Sequence, residues 1–350
     1  MHFHTIADGG CRSYVVGCPQ TGAAAVIDPA QSQLERTAGL LAREGLSLHY
    51  IVETHTHADH FTAARMLRQR FGVPIVMHRF AGAGDIDLPI DDGHQLVLGE
   101  LRLKALYTPG HTRDSMCILI GDRVMTGDTL LIGGTGRTDL PTGDPDALYD
   151  SLFGKLLLLQ DETKVFPAHD YMGRDFSTIG EERANNARLQ HRERQDFVGM
   201  MRSLDLAMPT HLTEALRTNI SGGMTVDQLL AEAAAATPFM AMDELARKLE
   251  SRSNDFIVLD VRERDTWLSG RIPGASHLAR GQLELKVDER FPDPDVEILT
   301  VCELGKVSTL AAATLRGLGF RRAIALDGGM KAWREAGYPV EEGNDPALMI

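Results

Sequence analysis

Cysteine is scarce in this chain of 350 residues: there are four, at positions 11, 18, 117 and 302, without regular spacing. Such a set builds no disulfide framework and suits a reducing compartment. Basic residues are also in short supply, 36 Lys and Arg against 49 Asp and Glu, for a formal net charge of -13. Binding nucleic acid requires a concentrated Lys/Arg surface; no basic run provides one, and that class of partner is excluded. Long apolar runs are missing too. Even the all-leucine run Leu156–Leu159 falls far short of the roughly 20 residues that span a bilayer. The opening MHFHTIADGGC has neither the charged nor the apolar region of a secretory leader. The expectation is a cytoplasmic protein with no membrane segment.

What is present favours two domains on length alone. Hydrophobic residues at 43% and charged residues at 24% are enough for ordinary packed cores. In the first half, AAAVIDP reads as a strand, QSQLERTAGLLAREG as an amphipathic helix closed by Gly45, and HYIVETH as a β-branched strand. ADHFTAARMLRQRFG restores a helical period before the strand VPIVMH, and short strands with turn punctuation follow from Gly93 to Gly133. This pattern predicts sheets layered against helices. A Ser-Gly-Gly followed by the Ala-rich LLAEAAAATP reads as a junction. Beyond Pro238, the strands DFIVLDV, EILTVC and AIALDGG alternate with helical stretches, predicting a small doubly wound parallel sheet. The expected division is residues 1–222, a linker at 223–237, and residues 238–345.

The densest chemistry lies in ETHTHADH, residues 53–60. His55 and His57 stand two apart at a strand's end, so both side chains leave the same face. Asp59 and His60 follow where the next helix opens. Three further candidates each come after an apolar strand: His111 in TPGHT, Asp128 in MTGDT and His169 in FPAHD. Imidazole and carboxylate donors without cysteine suit zinc, iron or manganese. His49, His78, His94 and His191 lack such company and read as surface or internally satisfied histidines.

This set resembles the metallo-β-lactamase superfamily, which implies a four-layer αββα sandwich with its site at one edge. In two-metal members of that superfamily, His55, His57 and His111 would form one site and Asp59, His60 and His169 the other, with Asp128 bridging. The stretches LLIGGTGRTDLPTG, FPAHDYMG, STIGEERANNARL and ALRTN are similar to the persulfide dioxygenases. The loop GTGRTD and the short span after His169 depart from the zinc thioester hydrolases of the glyoxalase II kind, which stand as the rival. The resemblance implies one Fe(II) per chain, held by His55, His111 and Asp128, with His57, Asp59, His60, His169 and Tyr171 shaping and hydrogen-bonding the site from behind. It also implies glutathione persulfide as substrate. Arg137, Arg217 and Tyr171 are the expected contacts for it, since guanidinium groups grip carboxylates bidentately. A structural salt bridge is the alternative for either arginine, and a core tyrosine the alternative for Tyr171.

Cys302 follows a buried strand and precedes a helix in VCELGKVSTLAAATL. Loop amides and a helix N-terminus there would surround its sulfur with positive potential. The flanking LDVRERDTWLSGRIPGASHL and LDGGMKAWREAGYPV resemble the rhodanese sulfurtransferases. That resemblance implies Cys302 as the persulfide-forming nucleophile, cradled by Glu303, Leu304, Gly305, Lys306, Val307 and Ser308. Asp260 and Arg262 are expected to hold the fold. Rhodaneses often carry a basic residue after the cysteine and an Arg before the Ser, where this chain has Glu303 and Val307. Lys306 is left as the loop's own cation, which weakens attraction for thiosulfate. A Ser at position 308 instead of Arg excludes phosphatase chemistry of the Cys-x5-Arg kind.

The whole pattern resembles persulfide dioxygenase–rhodanese fusions acting on small sulfur compounds: glutathione persulfide, thiosulfate and sulfite. An assembly of identical chains is compatible with this reading. A silent interaction module is the rival for the second domain.

Overall fold

Strands with apolar side chains on both faces must be covered on both sides. Val15, Val26 and Ile51 alternate with Tyr14, Ala25 and Val52, and all six are fully buried. The computed structural model describes residues 1–209, 212–251 and 256–343. Among these, the first sheet has six strands in consecutive order: His2–Asp8, Cys11–Gly17, Ala23–Ile27, Ser47–Val52, Ile75–His78 and Leu88–Ile90. The second, also six-stranded, runs Ser177–Thr178, Lys164–Pro167, Arg123–Gly127, Met116–Ile120, Leu101–Tyr107 and Gln95–Leu98.

One core, including Tyr14, Val16, Val76, Leu103, Ile118 and Phe166, is drawn from both sheets and lies between them. The outer face of the first sheet packs on helices Leu34–Arg43 and Ala64–Phe71. The outer face of the second packs on helices Pro145–Phe153, Ile179–Asn185 and Arg194–Arg202. The result is the αββα sandwich expected from the sequence.

The chain divides into two compact units, Met1–Gly223 and Met224–Ile350. In the second, a parallel five-stranded sheet is ordered Phe239–Met240, Ala323–Leu326, Glu297–Val301, Phe256–Asp260, Ser276–His277. One of its cores uses helices Leu283–Arg290 and Lys306–Gly317, the other helices Met242–Glu250 and Gly329–Glu335. Trp333 is wholly buried and its indole donates to the Pro339 carbonyl at 2.9 Å. Truncating such a side chain typically costs about 3–5 kcal/mol.

The expected linker needs correcting. Most of 223–237 is the helix Val226–Ala236, which opens with a capping box between Thr225 and Gln228 and packs on the helix Lys306–Gly317. Alanine has the highest helix propensity, so an Ala-rich run with a good N-cap forms an element instead of a tether. Residues 344 and 345 of the expected second domain lie outside the described ones.

Candidate metal centre and sulfur loop

Five strand ends deliver the first site. His55 and His57 follow Ser47–Val52, His111 follows Leu101–Tyr107, Asp128 follows Arg123–Gly127 and His169 follows Lys164–Pro167. The Cys11 end of its strand joins them through an isolated bridge to His169. Donor atoms of His55, His111 and Asp128 all lie within 4.8 Å of one another.

The atoms behind those donors are committed. His55 Nδ1 lies 2.9 Å from Thr54 Oγ1, which donates to Asp28 Oδ2 at 2.8 Å. The hydroxyl proton being spent on the carboxylate, His55 Nδ1–H must donate to Thr54, which leaves its Nε2 as a lone-pair donor. That Nε2 is buried and finds no hydrogen-bond partner. His111 Nδ1 donates to the Arg137 carbonyl at 2.8 Å, and its Nε2 lies 3.6 Å from Asp128 Oδ2. The other Asp128 oxygen accepts from His169 Nδ1 at 2.7 Å. Burial and then the neighbouring His57 hold the His55 imidazole well below the usual histidine range, so it is neutral. Burial opposes ionisation of Asp128, but the His169 imidazole outweighs it and the carboxyl sits below its usual range. A neutral His55 imidazole and an ionised Asp128 carboxylate are states that metal binding requires. An orphaned buried nitrogen beside two oriented donors fits a metal ion.

His57, Asp59, His60 and His169 stand around this set in two groups. His57 Nε2 lies 3.0 Å from Glu53 Oε2 and 3.4 Å from Asp28 Oδ1, while its Nδ1 is buried without a partner. Asp59 bridges His60 Nδ1 at 3.0 Å and His169 Nε2 at 2.8 Å. Cys11 joins Asp59, His60 and His169 with donor atoms within 4.8 Å. Burial raises its thiol, but hydrogen bonds from His169 and His60 prevail and bring it to about 6. Cys11 was not picked out among the candidates above. Its signal is tertiary, since only the bridge to His169 distinguishes it from an ordinary strand cysteine.

An open cleft is lined by His111 and Asp128. Its walls include Gly133–Arg137, Tyr171 and Arg188. Tyr171 is 77% exposed and stacks on the His169 ring, so it stands at the mouth and not in a core. The two arginine expectations are corrected. Arg137 lines the cleft, but it grips Asp139 through Nε and Nη2 at 2.6 Å each and donates to the carbonyls of Ala207 and Leu206. It is a strut for the 206–208 segment, its fork already filled by a carboxylate two residues away. Arg217 belongs to the helix Leu212–Ser221 and does not line this cleft. Arg188, passed over in the sequence, does line it, while one of its Nη groups holds the Thr135 carbonyl at 2.7 Å.

The quoted motifs brace the site. Glu182 accepts from the Gly133 amide at 2.9 Å and Asn186 donates to the Gly134 carbonyl at 2.9 Å. Asn219 of ALRTN donates to the carbonyls of His57 and His60, at 2.9 Å each, and accepts from the Thr62 amide. Gly136 has no room for a side chain: a Cβ there would lie 1.9 Å from the Asp128 carbonyl oxygen.

In the second unit Cys302 is buried directly after the strand Glu297–Val301, its Sγ 3.3 Å from Ser308 Oγ. Gly305 takes a left-handed conformation, φ 82°, to start the helix Lys306–Gly317. Among the described residues no backbone carbonyl accepts from the amides of Glu303 to Ser308. Arg262 binds Asp260 through Nε and Nη2 and donates to the Gly270 carbonyl, a fold-holding role.

Comparison with known proteins agrees with both halves. The Metallo-beta-lactamase superfamily profile matches residues 6–83 and 79–169, and the Rhodanese-like domain profile matches 241–336. The chain is 38% identical to human "Persulfide dioxygenase ETHE1, mitochondrial" over 215 residues, 61% of this chain and 84% of that protein. The crystal structure of ETHE1 from Myxococcus xanthus superimposes with a TM-score of 0.62 at 38% identity, covering 64% of this chain and all of that one. A metallo-beta-lactamase from Staphylococcus aureus, 21% identical, shares the fold over 93% of this chain and 97% of its own, with a TM-score of 0.60. The first unit of this chain thus belongs to the ETHE1 persulfide dioxygenase family, within the metallo-beta-lactamase superfamily, and the second is a rhodanese-like domain.

Proposed function

We propose that the first unit oxidises glutathione persulfide with O2 and water to glutathione and sulfite, at one Fe(II) held by His55, His111 and Asp128. The second unit, in this reading, transfers sulfane sulfur through a persulfide on Cys302, and shares sulfite, thiosulfate and glutathione persulfide with the first. The observation that carries the proposal is the convergence of one donor atom each from His55, His111 and Asp128 within 4.8 Å, with His55 Nε2 orphaned and each side chain held from behind. Two histidines and a carboxylate on one face leave the remaining positions of a ferrous ion open. His55, His111 and Asp128 would hold the iron, which would supply redox chemistry toward O2 and a position for the terminal sulfur.

The chain's own residues do the rest. Thr54 and Asp28 fix the His55 ring; the Arg137 carbonyl fixes His111; His169 turns Asp128 so that Oδ2 faces inward. Arg188 offers the cleft a guanidinium for a glutathione carboxylate, and the Tyr171 ring forms part of the mouth. Holding both reactants in this cleft replaces a chance encounter by a positioned one. Four cysteines without a disulfide support a reducing, cytoplasmic setting.

Oxygen uptake with glutathione persulfide tests the reading. Iron-loaded wild type consumes O2, His111→Ala does not, and an inactive iron-loaded wild type ends the proposal. One observation favours the rival with two zinc ions: Cys11, Asp59, His60 and His169 also converge. Metal analysis of protein purified without added metal separates the two, one iron per chain against two zinc. For the second unit, thiocyanate formation from cyanide is lost in Cys302→Ser while oxygen uptake persists. Survival of thiocyanate formation in that variant would point to a silent module.

A further inference from the structure

The residue after Cys302 is acidic, and the structure shows where its charge goes. Glu303 Oε2 lies 3.2 Å from Arg262 Nη1, and Oε1 is paired with Arg334 Nη2. These guanidinium groups reach the loop from two other elements, Arg262 from the segment after the strand Phe256–Asp260 and Arg334 from the helix Gly329–Glu335. That helix is fastened to the loop itself: the amides of Met330 and Lys331 donate to the carbonyls of Cys302 and Glu303, at 2.8 and 3.0 Å. The loop is therefore flanked by more cationic groups than Lys306, and one carboxylate occupies both of them. Arg262 already satisfies Asp260, so Arg334, 41% exposed on its side chain, is the cation that Glu303 withholds. Beside Lys306, the outward rim carries Leu304, 60% exposed, and Val307, 42% exposed.

We infer that Glu303 is a specificity-determining residue: by occupying Arg334 and Arg262 it makes the Cys302 site discriminate against a compact sulfur dianion and accept a donor with a single charge at its terminal sulfur. The inference rests on the sulfurtransferase reading of Cys302. The half-reaction is the same for either donor. The Cys302 thiolate attacks the sulfane sulfur, a new S–S bond forms, and the old S–S bond breaks with its electron pair leaving on sulfite or on the donor thiolate. Cys302 is left as a persulfide, which cyanide then takes as thiocyanate, and no outside oxidant or reductant enters. With thiosulfate both the donor and the departing sulfite carry two negative charges, so a carboxylate on the residue after Cys302 that occupies the flanking cations acts against binding and departure alike. With a persulfide R–S–S⁻ one charge is present at the reacting end and one leaves.

A unit charge a few ångströms from a dianion in a half-solvated rim changes affinity by about tenfold. Glu303→Gln is expected to raise kcat/KM for thiosulfate about tenfold, mainly through KM, while the value for 2-mercaptoethanol persulfide, whose carrier is uncharged, moves less than about twofold. The gain shrinks in high salt, as a charge effect at a solvated rim must. It is also lost in Glu303→Gln/Arg334→Ala, because Arg334 is the cation set free. A thiosulfate KM unchanged in Glu303→Gln, or an equal change for both donors, overturns the inference. Calorimetric titration of thiosulfate into full-length Cys302→Ser and Cys302→Ser/Glu303→Gln decides the point without turnover: tighter binding in the double variant supports it, equal binding refutes it. Absence of thiocyanate from wild type with either donor would count against the sulfurtransferase reading alone, and the binding comparison would still decide the role of Glu303.

Discussion

Asp28 has the one positive φ, 50°, found outside glycine among the described residues. A left-handed backbone at such a residue costs on the order of 1–3 kcal/mol and persists only where its surroundings over-determine it. Here they do. The carboxylate accepts from the Thr54 amide and hydroxyl at 2.7 and 2.8 Å, and the Asp28 carbonyl accepts from Ser13 Oγ at 2.7 Å. The strained turn therefore aims a carboxylate that acts on His55 only through Thr54. Thr54→Val keeps the shape and removes the relay, leaving His55 Nδ1 with no acceptor. Metal affinity is expected to fall by about 10–100-fold, the usual cost of losing an outer hydrogen-bond partner. Competition against a chelator would measure it, and an unchanged affinity would show that the Asp28–Thr54 pair is only structural.

At the scale of elements, the site depends on segments that contribute no ligand. The helix Leu212–Ser221 is tied to the histidine loop by Asn219, which serves two carbonyls and one amide. Asn219→Ala leaves buried polar groups unpaired, at about 1–3 kcal/mol. The first unit should melt lower, and its metal should be stripped faster, in stopped-flow chelation, than in wild type. Gly136→Ala acts elsewhere, where the added Cβ collides with the backbone oxygen of Asp128. Bound metal per chain should drop with secondary structure kept, which elemental analysis and circular dichroism would report together; full metal content in the alanine variant would mean that the loop gives way at no cost to the ligand.

For the whole molecule, each unit buries its own cores, Val16 and Leu152 among those of the first, Leu259 and Trp333 among those of the second. Calorimetry should then resolve two unfolding transitions. A ligand that binds only the folded state of one unit raises that unit's transition by mass action, so removing metal should lower one and leave the other in place. A single transition shifted as a block by chelation would contradict separate folding. No helix among the described residues is long and apolar enough to cross a membrane.

Much of this could be seen in the chain alone. Alternating and continuous apolar strands predicted layered sheets, because burial on one or both faces leaves a period in the sequence. His55, His57, His111, Asp128, His169 and Cys302 stood out because each follows an apolar strand, and strand ends are where a sheet delivers side chains to one edge; only the resemblance singled out His55, His111 and Asp128 as one ligand set. The expected linker is largely a helix, and Arg137 takes the salt-bridge alternative held open for it. Whether a helix packs, or a guanidinium is free, depends on partners distant in sequence, such as the helix Lys306–Gly317 or the carbonyls of Leu206 and Ala207. Local residue order determined which donors exist and at which strand tips they stand. Only the tertiary structure decided which nitrogens stay bare, where the charge of Glu303 is spent and that Cys11 faces His169, because hydrogen bonds and ion pairs act over a few ångströms of space whatever the distance along the chain.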